Sequence, residues 1–230
     1  MKKKYRYLFW DIDGTILNFL AAEKEAIKTL FKRFNLGECS DEMISQYSSI
    51  NVKYWQKLER GEMKKSEILI NRFIEFFSFY NLDTTLAKDF NDAYQITLGD
   101  TIVFNDDAFN LLCKLKKYYK LIAVTNGTKI AQNKKLNISH LIDVFDDIFI
   151  SEEVGYEKPS ILYFHYIFKK LNIINKKEVL IIGDSLTSDI KGGNNAGIDT
   201  CWYNPNAKKS DQNVTIDYEI NDLHDLLKFL

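Results

Sequence analysis

The stretch LFWDIDGTI at positions 8–16 ends an apolar run on two carboxylates, Asp11 and Asp13, one residue apart. Like charges that close call for a cation bound to one of them or a proton held by the other. Polar residues close other apolar runs in the same way: Thr125, Asn126 and Gly127 follow KLIAV, and Asp184 follows VLIIG, with Asp189 five residues on. Lys158 stands ahead of Pro159 after a third run. The set has a chemical logic. Carboxylates suit a hard divalent cation, a hydroxyl and backbone amides suit an anion, and one ammonium supplies counter-charge. Gly14 suits a tight turn just past Asp13, and the Thr15 hydroxyl can hydrogen-bond to fix it.

Something must bring these residues together. Short apolar runs at 5–11, 120–127, 146–151, 178–184 and 198–204 read as strands buried on both faces, the pattern of a parallel sheet. Helical patterns lie between most of them, at 106–118, at 159–171 with a proline in the first turn, and at 187–196 ahead of Gly197. Alternation of strand and helix predicts an α/β fold, a Rossmann-like doubly wound parallel sheet. In such sheets ligands bind beyond the carboxyl ends of the strands, where the residues above fall.

From 18 to 99 the alternation stops, and the pattern is that of amphipathic helices. Phe73, Phe76, Phe77 and Tyr80 fall at i, i+3, i+4 and i+7, the core-facing stripe of a helix. The expectation is therefore an inserted all-helical domain over 18–99, with a catalytic core made of 1–17 and 100–230. In the insertion, Tyr47, Tyr54 and Trp55 are weighed as stacking partners for a base and, more simply, as packing.

At 230 residues, 46% hydrophobic and 27% charged, the chain can bury a core plus a smaller satellite. A net charge of −1 gives no bulk attraction to nucleic acid or an anionic membrane, so any anion must be captured locally. The opening MKKKYRYLFW imitates a signal peptide, but Asp11 and Asp13 cut the apolar run short, and a cytoplasmic protein is expected. No segment reaches the ~18 apolar residues of a membrane span. Cys39, Cys113 and Cys201 are read as core fillers, and His140, His165 and His224 as structural or surface residues. The loop NPNAKKSDQN at 204–213 reads as polar surface, with Lys208 and Lys209 solvated.

On a phosphate monoester the set divides into roles. Asp11 can attack phosphorus once Mg²⁺ screens the repulsion. Asp11, the main-chain carbonyl of Asp13 and Asp184 offer the oxygen ligands that Mg²⁺ prefers at about 2.0–2.1 Å. Thr125 Oγ1, the amides of Asn126 and Gly127, and Lys158 then hold the phosphoryl oxygens. Asp13, its pKa expected to rise beside a second carboxylate, suits protonation of the departing alcohol and later deprotonation of water.

DIDGT (11–15), TNG (125–127), KP (158–159) and GDSLTSD (183–189), in this order, resemble the four motifs of the haloacid dehalogenase superfamily. The resemblance spans the chain, helical cap included. It implies Asp11 as nucleophile, Asp13 as acid and base, Thr125 and Lys158 as phosphate binders, Asp184 as metal ligand, and Asp189 as support for Lys158 or the metal. INVKYWQKLERGEM (50–63), VTNGTKIAQNKKL (124–136) and IFISEEVGYEKP (148–159) resemble the YjjG/YfnB-type pyrimidine 5′-nucleotidases. That branch implies UMP, dUMP or dTMP as substrate, although it usually carries an aspartate where Gly14 stands and a phenylalanine where Trp10 stands. The alternatives are phosphoglycolate or sugar-phosphate hydrolysis and, from another class, a phosphoacceptor signalling module. The partner expected is a small phosphate ester, foremost a nucleoside monophosphate, with neither nucleic-acid polymer nor membrane. The chain is expected to act as a monomer or small homo-oligomer.

Overall fold

The computed structural model describes residues 4–210 and 213–230. The first three residues of MKKKYRYLFW, and Asp211 and Gln212 of the polar loop, lie outside the described residues. The chain begins with β1 (Tyr7–Trp10) and then forms four helices, α1 (Phe19–Arg33), α2 (Asp41–Glu59), α3 (Lys65–Phe79) and α4 (Ala87–Thr97). There follow α5 (Ala108–Leu115), β2 (Lys120–Thr125), α6 (Lys129–Ile138), β3 (Asp147–Ile150), α7 (Ser151–Val154) and α8 (Ile161–Leu171). The last elements are β4 (Val179–Gly183), α9 (Lys191–Ala196), β5 (Asp199–Tyr203) and β6 (Tyr218–Ile220).

The strands form one parallel sheet in the order β3-β2-β1-β4-β5-β6. Alternate residues of each strand point to opposite faces, and both faces are covered. Leu8, Leu121 and Leu180 stand in one register and pack with Leu111 and Leu115 of α5. Phe9, Ile122 and Ile181 point the other way, against Phe164 and Ile167 of α8. The five expected strands are present, and β6, three residues long, joins them at the edge. The strand order reverses between β1 and β4, so their carboxyl ends splay and leave a crevice there.

Helices α1–α4 share a core of their own, built on Tyr47, Phe73, Phe76, Phe77 and Phe90. The segments leading into and out of this layer run side by side. Asn18 N donates to Val103 O at 2.8 Å and Asn105 N to Ile16 O at 2.9 Å. Three local expectations are corrected. Pro159 precedes the helix rather than lying in its first turn, because Ser160 is the N-cap and accepts from Leu162 N. The helix expected over 187–196 opens as a π-helical turn, Leu186–Ile190, before α9 begins. Cys113 is exposed and fills no core.

Candidate active site

Asp11 leaves the end of β1, and Asp184 leaves the end of its neighbour β4. Thr15 ties them, its hydroxyl lying 3.3 Å from Asp11 Oδ2 and 3.0 Å from Asp184 Oδ1. Gly14 permits this approach. Its φ is +95°, and a Cβ there would lie 2.6 Å from Asp184 Oδ2. Lys158, buried, donates to Asp11 Oδ1 and Asp189 Oδ1, each at 2.7 Å, and to Val124 O at 2.6 Å. All three ammonium hydrogens are therefore engaged, and contact with a phosphoryl oxygen requires one to be exchanged.

Oxygens of Asp11, Asp184 and Asp189 lie within 4.8 Å of one another, and one ammonium cannot balance three carboxylates. Burial pushes the Asp11 carboxyl well above the usual range; Lys158 pulls it down, while Asp189 and Asp184 add to the rise. Asp184 opens onto the cavity but is hemmed in by protein elsewhere; burial, then Asp189, pushes it up to about 7. For Lys158 burial works against the charge, but Asp11 and Asp189 outweigh it and raise the ammonium above its ordinary value. Oxygen donors with an uncompensated negative charge are the donor set a hard divalent cation requires.

The other expected residues gather at the same place. Thr125 ends β2, and its Oγ1 accepts from Gly127 N at 3.0 Å, so that amide is turned onto the threonine rather than left open to an anion. Asn126 clamps Lys158 through its side chain, Nδ2 donating to Lys158 O at 2.8 Å and Oδ1 accepting from Lys158 N at 2.9 Å. The Asp13 carboxylate turns away from the three-carboxylate cluster. It accepts from Gln132 Nε2 at 2.6 Å and is ion-paired with Lys135, both on α6. A cation thus faces Asp13, where the sequence suggested that its neighbouring like charge would dominate. The side chains expected to hold a metal, Asp11 and Asp184, stand together with Asp189 as a third carboxylate, and the side chain of Asp13, a residue expected to offer only its main-chain carbonyl, stays outside the cluster.

These residues floor a cavity of about 570 Å³ roofed by residues of α2, α3 and α4. Asp11, Asp13, Thr125, Asn126, Gly127, Lys158, Asp184 and Asp189 all line it. Glu59, at the end of α2, accepts from Thr187 Oγ1 at 2.6 Å across the cavity. Lys65 of α3 donates to Asn126 O at 2.9 Å and Ser151 Oγ at 2.6 Å.

The sequence profile of haloacid dehalogenase-like hydrolases matches residues 8–203. The chain belongs to this family. It is accordingly an enzyme, a hydrolase. It is 40% identical over 228 residues to the HAD-hydrolase YfnB of Bacillus subtilis, covering 99% of this chain and 96% of YfnB. It is also 34% identical to the pyrimidine 5′-nucleotidase PynA of Streptococcus pneumoniae, covering 98% and 95% of the two chains. The pyrimidine 5′-nucleotidase YjjG of Escherichia coli is 26% identical, with coverage of 99% and 98%. A crystal structure of YfnB bound to magnesium superposes with a TM-score of 0.91 at 38% identity over 98% of each chain.

Sequence reasoning missed several residues of this hydrolase's site. Gln132 and Lys135 sit in KIAQNKKLNI, where Lys135 reads like the half-exposed Lys134 beside it, yet its side chain is 1% exposed against 29%. Of the three aromatic candidates only Trp55 lines the cavity. Tyr47 stacks on Phe73 in the helical core, and the Tyr54 hydroxyl donates to Glu75. Lys208 and Lys209 are exposed, as expected, but at the cavity wall rather than on plain surface. None of His140, His165 and His224 lines the cavity. Among the described residues no helix is long and apolar enough to cross a membrane.

Proposed function

We propose that the hydrolase is a Mg²⁺-dependent phosphomonoesterase working through an aspartyl-phosphate, and that its substrates are pyrimidine nucleoside monophosphates such as UMP, dUMP and dTMP. Residues 1–17 and 100–230 form its catalytic core, and 18–99 form a cap over the cavity. The observation that carries the reading is the meeting of Asp11, Thr125, Lys158 and Asp184 in one cavity with Asp13 beside them. The names of PynA and YjjG support the nucleotide, and the magnesium of the YfnB crystal supports the cation.

Asp11, Asp184 and the main-chain carbonyl of Asp13 would hold the metal, with Asp189 behind Lys158 as support. When bound, Mg²⁺ neutralises charge and lets an anionic nucleophile approach an anionic ester. A carboxylate oxygen of Asp11 attacks phosphorus, and the bond from phosphorus to the ester oxygen breaks. The departing alkoxide takes a proton from Asp13, which enters this step as the protonated acid with its ion pair to Lys135 given up. Asp13, now ionised and held by Gln132 and Lys135, removes a proton from water, which attacks phosphorus and frees Asp11 and inorganic phosphate. Thr125, Asn126 and Lys158 steady the phosphoryl oxygens, Gly127 joining them once its amide gives up its bond to Thr125 Oγ1, and the carboxylate-ammonium pairs fix the direction of attack.

Phosphate release from a panel of phosphorylated metabolites, with Mg²⁺ or with EDTA, tests the reading. Turnover of pyrimidine nucleotides that ceases in EDTA is expected; preference for phosphoglycolate or sugar phosphates would replace the substrate assignment. Asp11→Asn is expected to lower kcat on the order of 10⁴-fold or more with an unchanged circular dichroism spectrum. Turnover close to wild type in that variant removes the nucleophile.

A further inference from the structure

The cavity has two electrostatically different ends. Charged groups crowd the floor, whereas the roof presents Asn51, Arg72, Tyr94 and Gln95, each no more than 7% exposed. In a helical layer whose core is otherwise largely apolar such residues gain little stability over an apolar filling, because their hydrogen bonds offset desolvation by only about 1 kcal/mol each and a buried charge is costlier still. They are nonetheless organised. Arg72 Nη1 donates to Asn51 Oδ1 at 2.7 Å, Nη2 to Asn91 Oδ1 at 3.1 Å and Nε to Leu69 O at 3.3 Å. Asn51 Nδ2 donates to Glu23 Oε2 at 2.8 Å, and Gln95 Nε2 to Asn91 Oδ1 at 2.9 Å. Thr128 Oγ1 donates to Gln95 Oε1 at 2.7 Å.

Two features define what such a roof accepts. The first is charge: Arg72 is linked through Asn51 to the buried Glu23 carboxyl, so its guanidinium is held in a polar network rather than left as a bare cation for a second anion. The second is the surplus of donors. A guanidinium has five N–H groups and a primary amide two, so Arg72, Asn51 and Gln95 keep N–H groups beyond the bonds above. Phe19 and Trp55 add flat apolar walls.

Building on the nucleotidase reading, we infer that Asn51, Arg72 and Gln95 determine specificity by donating hydrogen bonds to the carbonyl edge of a neutral ring on the leaving group. Uracil and thymine present two ring carbonyls to such donors. Cytosine presents an amine in place of one of them, which sets donor against donor. The roof therefore selects oxo-pyrimidines over amino-pyrimidines.

The test compares kcat/KM for dUMP, dCMP and acetyl phosphate, the last having no ring. The wild type is expected to prefer dUMP to dCMP. In Gln95→Leu and in Arg72→Lys, which keeps the charge but loses the planar fork, the ratio of dUMP to acetyl phosphate is expected to fall about 10- to 100-fold. Should Arg72→Lys fail to fold, Gln95→Leu decides. An unchanged ratio in a folded variant overturns the inference and leaves the nucleotidase reading standing. A wild type that hydrolyses acetyl phosphate but no nucleoside monophosphate overturns both.

Discussion

At the scale of single residues, the site depends on how near Asp184 comes to the turn after β1. Gly14 alone allows it, because any Cβ there meets the Asp184 carboxylate and the backbone sits in the left-handed region. Gly14→Ala is expected to cost about 1–2 kcal/mol from the dihedral alone. It also pushes Asp184 out of the carboxylate cluster. Mg²⁺ at a hundred times its Kd is expected to stabilise the wild type by about 2.7 kcal/mol. Thermal unfolding with Mg²⁺ and with EDTA should show that increment shrinking in the variant; an equal increment would mean that Asp184 holds no metal.

At the scale of elements, α6 joins the two ends of the cavity. Its N-cap, Thr128, accepts from Ala131 N at 3.4 Å while donating to Gln95 in the helical roof. One and two turns on, Gln132 and Lys135 hold Asp13. Thr128→Ala removes the cap and the bond to Gln95 together. The expected loss is about 1 kcal/mol for the cap, read from urea unfolding, with a fall in turnover as Gln132 and Lys135 lose their seat. Unchanged stability and turnover would show that α6 is set by its apolar face alone.

At the scale of the whole molecule, Glu59 and Lys65 tie the helical layer to the segments that follow the strands. Burial pushes the Glu59 carboxyl up to about 7 from an ordinary 4.5, against the Thr187 hydrogen bond, with Asp189 and Asp184 adding to the rise. An unfolded chain gives up this proton near 4.5 and the folded one only near 7. Across that window the unfolded state binds fewer protons, so Glu59 takes stability away as pH rises. Glu59→Gln, whose amide oxygen can still accept from Thr187, is expected to gain stability over the wild type between those two pH values and to hold the gain above them. Metal-free urea titrations at pH 5 and pH 8 measure the difference; parallel losses in both proteins would discount Glu59 as the source.

The sequence by itself determined the sheet and its chemical edge. Buried runs such as VLIIG and LIAV have no other home than a two-sided core, and the polar residue closing each run must come out at the carboxyl end of a strand. The aromatic stripe of α3 likewise named a helix and its inner face. Strand β6, three residues against an edge, is too short to carry a pattern of its own. The partners of Asp13 stand 119 and 122 residues away in sequence. The roof residues Asn51, Arg72 and Gln95 come from three different helices. Only the tertiary structure decided these, because periodicity reports which face of an element avoids water, whereas the burial and pairing of a charge depend on which other elements are packed against it.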